Sequence, residues 1–274
     1  MNENINHTFV ICAYKESPYI EECIKSLKNQ SKQSEILVAT STPCIFLKKI
    51  CEKYNIEYCV REGQSNIADD WNFAYSQAKT PYVTIAHQDD LYRKEYAKQV
   101  IEALMQHNNI LIACTDYSEK KGETESIGGI NLYIKRFLLV PLRNDKKNDK
   151  KWRKRFAIRF GNAICCPSVT YNKQLIESLI KDQGRDNLFR KHFRSNLDWE
   201  VWEWLSTNPG RFKFIPKVLM SHRIHEGSET TATIKDNERS HEDYEMFCRF
   251  WPSWVAKLIT GVYANSEKGN ELPS

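Results

Sequence analysis

The chain has 274 residues, 41% hydrophobic and 27% charged, with only 10 Gly and 9 Pro. That length suits one large domain, or one domain with an appendage, and the composition excludes a disordered, collagen-like or coiled-coil chain. The net charge of +5 is concentrated: residues 135–159 hold eleven Lys or Arg against two Asp, leaving 29 basic and 33 acidic residues elsewhere. The charge argument therefore concerns one segment.

The elements alternate along the first half. Thr8–Ala13 is a continuous apolar run, read as a buried strand. Tyr19–Lys28 places Ile20, Cys23, Ile24 and Leu27 on one helical stripe. Glu35–Thr40 is a second strand, Cys44–Asn55 a helix, Ile56–Val60 a third strand and Asn66–Ala78 a helix. Tyr82–Ala86 is a fourth strand, the stretch from Leu91 or Tyr92 to Gln106 a helix, and Ile110–Thr115 a fifth strand. This alternation predicts right-handed βαβ units and a mostly parallel sheet. Ligands of such sheets sit outside the carboxyl ends of the strands, which here means Tyr14-Lys15-Glu16, Ser41-Thr42-Pro43, Arg61-Glu62-Gly63 and His87-Gln88-Asp89-Asp90.

In the second half, Lys121–Gly129 reads as a loop and Asn144–Lys151 as a solvated charge run. Gly161–Tyr171 has strand character; Leu175–Ile180 and Asp198–Leu205 read as helices. Phe212–Met220 is a strand near an edge, because Pro216 interrupts it. Tyr244–Tyr263 is aromatic and amphipathic, and the tail after Ala264 is expected to be disordered.

Nine cysteines, none in a C-x-x-C pair, lie largely in apolar runs, which fits free thiols in a reducing compartment. Met1–Asn4 lacks the charge and apolar run of a signal peptide, and no segment is apolar enough to span a bilayer. A cytoplasmic location is expected, with peripheral contact at the inner face of the membrane as an option.

Asp89-Asp90 is the first chemical constellation. Two adjacent carboxylates at a strand end repel each other, and a hard divalent cation relieves that repulsion. The alternative is an exposed turn with an N-cap Asp opening the next helix. The second constellation is Asn196-Leu197-Asp198-Trp199-Glu200. Asp198 there is either a general base or a helix N-cap. The third is Ser221-His222-Arg223-Ile224-His225, whose His-x-x-His pair is a weak zinc signal without Cys partners.

The order of these motifs resembles family 2 glycosyltransferases. Phe9-Val10-Ile11-Cys12-Ala13-Tyr14-Lys15-Glu16 resembles that family's first strand and loop, and Ile20 to Gln30 its first helix. Asn66 to Ala74, the strand Tyr82 to Ala86 and the Asp89-Asp90 exit resemble the rest of its nucleotide-sugar half. The likeness covers residues 7–115 well and 155–235 more loosely.

The resemblance implies an α/β, GT-A-like fold: a mostly parallel sheet flanked by helices, with a Rossmann-like nucleotide-sugar half and a C-terminal helical extension. It implies a glycosyltransferase domain over residues 1–235, split into a donor half (1–115) and an acceptor and catalytic half (116–235) with a basic insertion at 135–159. Residues 236–274 form the extension and tail. The implied reaction is metal-dependent, inverting transfer from a nucleoside-diphosphate sugar, with UDP-hexose the expected donor, to a hydroxyl of a glycan or lipid-linked acceptor in surface polysaccharide synthesis.

Implied donor contacts are Ala13, Tyr14, Glu16, Thr40, Asp70, Asn72, Asp89, Asp90 and Arg223. Mn²⁺ or Mg²⁺ is implied, with Asp90 and His225 as ligands. His87 stands where many members have a further Asp, and is taken as a neighbour because imidazole is a poor Mg²⁺ ligand. Trp71 stands where many members have Arg. Ala39-Thr40-Ser41-Thr42 replaces the usual acidic residues after the second strand and leaves the base open. Asp198 is the implied catalytic base, with Trp199, Glu200, Cys166 and Pro167 toward the acceptor. The loop around Thr230, Thr231 and Thr233 is expected to close over the donor.

The basic segment mixes cations with Trp152, Phe156 and Phe160. No nucleic-acid module is apparent; an anionic membrane surface and a simple solvated face remain alternatives. Two rival functions are a nucleotidyltransferase, disfavoured by the glycine-free loop Ala13 to Pro18, and a non-catalytic binder of anionic lipid or polymer.

Overall fold

The computed structural model describes residues 5–225 and 238–268. Strand β1 (His7–Ala13) is buried over nearly its whole length because it serves both faces of the sheet. Phe9 and Ile11 pack into one core with Ile24, Val38 and Tyr96, while Val10 enters the other with Val83, Tyr171 and Trp202. Its continuous apolar run is thus two interleaved period-2 patterns.

Helix α1 (Ile20–Lys28) buries the stripe Ile20, Cys23, Ile24 and Leu27. Strand β2 (Glu35–Thr40) follows. Helix α2 (Ile45–Tyr54) starts at Cys44, whose sulfur accepts from Leu47 N–H, and ends at Asn55 in the left-handed region, φ 48°. Strand β3 (Glu57–Val60) leads to helix α3 (Ile67–Gln77), capped by the Asn66 side chain on Asp69 N–H at 2.9 Å. Strand β4 (Tyr82–His87) completes a parallel β3-β2-β1-β4 array. The direction of winding reverses between β1 and β4, which creates a crevice at their carboxyl ends.

The sheet continues as β8-β6-β9-β5, with β7 paired to β6. Strand β5 (Leu91–Tyr92) is a short antiparallel partner of Met220 and Ser221, so helix α4 begins only at Tyr96 and runs to Met105. Sequence periodicity places that helix start at Leu91 or Tyr92. The edge of the neighbouring strand captures the first two residues instead, and Tyr92 is buried with its hydroxyl donating to Pro167 O at 2.8 Å.

Strand β6 (Ile110–Lys121) forms a hairpin with β7 (Thr124–Ser126) around Gly122, φ 54°, where a loop was expected. Helices α5 (Ile130–Leu139) and α6 (Lys151–Ile158) flank a short 3-10 turn and the charged loop. The expected strand over Gly161–Tyr171 shrinks to β8 (Val169–Asn172), because Cys166–Ser168 forms a 3-10 turn around Pro167. β8 runs antiparallel between β4 and β6. Helices α7 (Lys173–Asp182) and α8 (Leu197–Thr207) follow.

Strand β9 (Arg211–Ile224) is longer than the sequence suggests and lies parallel to β6. Pro216 falls in the register break where Ile215 faces Thr115 and Val218 faces Asp116. A bulge tolerates the missing donor and lets the strand resume. The resumed portion carries Ser221, His222 and Arg223 to the end of β4, beside Asp90.

Helices α9 (Glu238–Cys248) and α10 (Ser253–Lys268) form the extension. The helix passes beyond Ala264, where a disordered tail was expected; Thr230, Thr231 and Thr233 lie outside the described residues. None of the described helices is long and apolar enough to cross a membrane.

Candidate active site

Tyr14 at the end of β1 and Gln88 at the end of β4 meet at the crevice. The Gln88 amide accepts from Tyr14 N–H at 3.2 Å and donates to Tyr14 O at 3.0 Å. Lys15 takes φ 53°, and its N–H donates to Thr42 Oγ1 at 2.6 Å. Thr40 Oγ1 in turn accepts from Thr42 N–H at 3.0 Å. Ala13, Tyr14, Glu16 and Thr40 therefore share one rim, with Tyr14 and Glu16 exposed.

Asp70 lies behind the β2 and β3 ends. It accepts from Ser41 at 2.9 Å, Ser65 at 2.8 Å and Arg61 Nε at 2.8 Å. Its carboxylate thus fixes Arg61 and Ser41 around the crevice.

Asn72 is committed elsewhere. Its amide donates to Phe189 O at 2.7 Å and accepts from Phe189 N–H at 2.9 Å. The expected donor contact is corrected to a clamp on the segment before α8.

Asp90 is fully buried. It does not cap a helix, since α4 starts at Tyr96 after Glu95. One carboxylate oxygen, Oδ1, accepts from Arg223 N–H at 2.9 Å and faces His222 Nδ1 at 3.2 Å. The other, Oδ2, has no hydrogen-bond partner and lies 3.8 Å from His87 Nδ1. A buried carboxylate oxygen left bare is costly.

The Asp89 Oδ2 atom pairs with His225 Nε2 at 2.8 Å. Burial opposes charge on Asp89, but the bond from His225 and the nearby His87 and His222 together hold its carboxyl below the usual range. Burial likewise opposes a charged His222, yet Asp90, and then Asp89, hold its ring above the ordinary histidine value.

His87, Asp89 and Asp90 bring one ligand atom each to within 4.8 Å of one another. His87 stacks on Trp71 at 5.5 Å, and its Nε2 is buried without a hydrogen-bond partner. Two carboxylates and an imidazole with bare buried atoms suit a divalent cation. The group contains His87 where the sequence reading has His225, which is engaged with Asp89. Arg223 is also reassigned. It is buried, donates to Glu22 at 2.6 Å and to Asp89 O at 2.8 Å, and lies 4.3 Å over the Tyr19 ring. It builds the site, with its Nε and Nη2 donors spent inside the protein.

Asp198 sits in the first turn of α8, but the N-cap position is Asn196. Its Oδ2 accepts from Asn162 Nδ2 at 2.7 Å and its Oδ1 from Trp199 N–H at 2.8 Å. Burial pushes its carboxyl up, above the opposing pull of those two bonds. Asp198 and Asp90 both act on the thiols of Cys165 and Cys166, and His87 acts on both Asp89 and Asp198. The two acidic centres are therefore neighbours at the same end of the sheet, with Cys165 and Cys166 between their fields.

Cys166 and Pro167 are buried in the 3-10 turn. Trp199 and Glu200 turn away. The Trp199 indole donates to Ile158 O at 2.9 Å, and Glu200 accepts from Arg185 at 3.1 Å inside the protein. Their expected acceptor contacts are corrected to core packing and a buried ion pair.

The sequence reading singled out the segments that hold Gln88 and His222 but gave neither residue, nor Asn162, a role of its own. Only proximity in the fold reveals their partners; Asn162 lies 36 residues from Asp198.

The model of glycosyl transferase family 2 matches residues 8–168, more than half of the chain. The chain belongs to that family. It is a glycosyltransferase with the GT-A fold. No curated protein matches the sequence significantly. Among solved structures, TarS 1–349 from S. aureus is similar with a TM-score of 0.62 at 15% identity, over 93% of this chain and 69% of that one. Its complex with UDP-GlcNAc gives 0.62 at 16%, over 93% and 70%. The mannosyltransferase PcManGT from Pyrobaculum calidifontis, in complex with GDP-Man and Mn²⁺, gives 0.64 at 14%, over 100% and 77%. At such identities the likeness concerns the fold.

Proposed function

We propose that this glycosyltransferase moves a hexose from a nucleoside-diphosphate sugar to a hydroxyl of a glycan or lipid-linked acceptor, with inversion and with help from Mn²⁺ or Mg²⁺. The observation that carries this reading is the cluster of His87, Asp89 and Asp90 with its bare buried atoms at the switch point of the sheet. Family membership sets aside the nucleotidyltransferase and binding-module alternatives.

The nucleotide would rest on the rim formed by Ala13, Tyr14, Glu16 and Thr40, in the donor half at residues 1–115, with Asp70 holding Ser41 and Arg61 in place. Asp90 and Asp89, with His87, would hold the cation, which supplies positive charge to the departing diphosphate. Inversion needs one in-line displacement. Asp198 takes the proton of the acceptor hydroxyl as its oxygen attacks the anomeric carbon from the side opposite the diphosphate. Burial raises its proton affinity, which suits a base that must gain a proton in the transition state. UDP-GlcNAc and GDP-Man, bound by the similar structures, frame the donor choice. The nine free cysteines support a reducing, cytoplasmic setting.

Thermal shifts with UDP and GDP, with and without Mn²⁺, test the reading, because a ligand raises the midpoint only by binding the native state. A metal-dependent rise with one nucleotide, and sugar release from its hexose conjugate, are expected. No rise with any nucleoside diphosphate overturns the proposal.

A further inference from the structure

Helix α5 carries its apolar stripe outward. Ile130, Tyr133, Ile134 and Phe137 recur at helical spacing, and all are exposed, Ile130 by 78% and Phe137 by 66%. The opposite side, with Leu132, Leu138 and Leu139, already fills the core. Such a two-sided apolar helix is unusual on a soluble surface.

The stripe continues onto the next helix. Phe137 meets Phe156 of α6 at 6.4 Å, and Phe156 meets Phe160 at 6.1 Å. Trp152, one turn before Phe156, is 60% exposed.

The structure also sorts nine of the eleven cations of this segment. Lys135 donates to the Tyr117 hydroxyl at 3.0 Å, Arg136 to Asp116 at 2.7 Å and Arg155 to Glu203. Lys154 is buried on the Asn208 and Gly210 carbonyls. Arg159 lies between the Phe160 and Trp251 rings. These five build the fold. Lys146, Lys147 and Lys150 in the turn leading into α6, and Lys151 at its start, stay exposed. Of the two Asp in this segment, Asp145 pairs with Lys213 and Asp149 lies 3.9 Å from Lys150.

We propose that α5 and the turn into α6 form a docking surface for an anionic lipid bilayer. The aromatic and aliphatic side chains enter the headgroup boundary and the four lysines meet lipid phosphates. Charge complementarity selects lipid over a second copy of this chain, whose matching patch would bring like charges together. The inner side of α5 reaches the acidic cluster through Lys135, Tyr117, His222 and Asp90 in succession. A docked bilayer thereby lies beside the site where a lipid-linked hydroxyl must enter. The docking itself stands apart from the proposed reaction, and its test needs no turnover.

The test is co-sedimentation of the full chain with vesicles of phosphatidylcholine alone and of phosphatidylcholine mixed with phosphatidylglycerol. Binding to the mixed vesicles only, lost at high salt, is expected. Replacing the four lysines, K146E with K147E, K150E and K151E, should lower partitioning by at least about a hundredfold, since each cation contributes about fivefold. The pair I130S and F137S should weaken binding at unchanged charge. Retention of the wild-type melting midpoint and nucleotide shift checks the fold of both variants. Wild-type protein that stays in solution with anionic vesicles overturns the proposal. So does a wild-type dimer that I130S and F137S dissolve, which makes the patch a self-interface. Unchanged binding of the serine variant overturns insertion.

Discussion

Replacing Asp198 with Asn separates chemistry from folding unusually well. The wild-type carboxylate accepts from Asn162 Nδ2 at 2.7 Å and from Trp199 N–H at 2.8 Å. The amide oxygen of the variant keeps the Trp199 bond. Its new NH₂ faces Asn162, whose own Oδ1 is buried without a partner. Turning the Asn162 amide restores a bond there, so the net stability change should stay within about 1 kcal/mol. The lost proton acceptor removes about 10²- to 10⁴-fold in kcat, or about 3–5 kcal/mol of barrier. Since burial holds the Asp198 carboxyl above its ordinary value, wild-type turnover should rise with pH as that group ionises, and the variant should lack the rise. Sugar release from the donor gives kcat, and calorimetry with the nucleoside diphosphate gives Kd. An unchanged Kd with collapsed kcat is expected. Turnover within about threefold of wild type refutes the assignment of the base.

Asp90→Asn should abolish the Mn²⁺-dependent part of the nucleotide thermal shift, because it removes the bare buried oxygen. Asn72→Ala should lower stability by about 1–3 kcal/mol by stranding the Phe189 N–H and C=O; a donor Kd close to wild type would support the clamp, and a large rise in Kd would restore a donor contact. His7 is fully buried between Ser34 and Thr84, and burial depresses its ring from 6.5 to about 3. The unfolded chain therefore binds the proton first. Stability present above pH 6.5 falls by up to about 1.4 kcal/mol per unit as pH drops toward the folded value. Denaturant melts of His7→Gln should show a shallower acid limb than wild type, and equal limbs would refute the cause. Trp202→Ala, at a position with no exposure, should cost about 3–5 kcal/mol.

Much of the parallel part of the sheet was legible in the chain, since β1 to β4 and their helices follow from local periodicity and short connections. The twin acids were legible too, because a strand exit is a local event. Asp198 could be placed by motif, but its competing N-cap role was settled only by the structure, which seats Asn196 at the cap. Sequence could not reveal that Asn72 and Arg223 are spent on partners 117 and 201 residues away. Nor could it sort the cations of residues 135–159 into those that hold the fold and those that face solvent.

Local sequence thus dictated which segments became strands and helices, because backbone propensity and apolar spacing act over a few residues. The tertiary structure decided which polar groups gather with bare atoms around Asp90 and which are consumed inside. That choice depends on long-range register, above all on the Pro216 bulge that lets β9 resume and bring His222 and Arg223 beside Asp90.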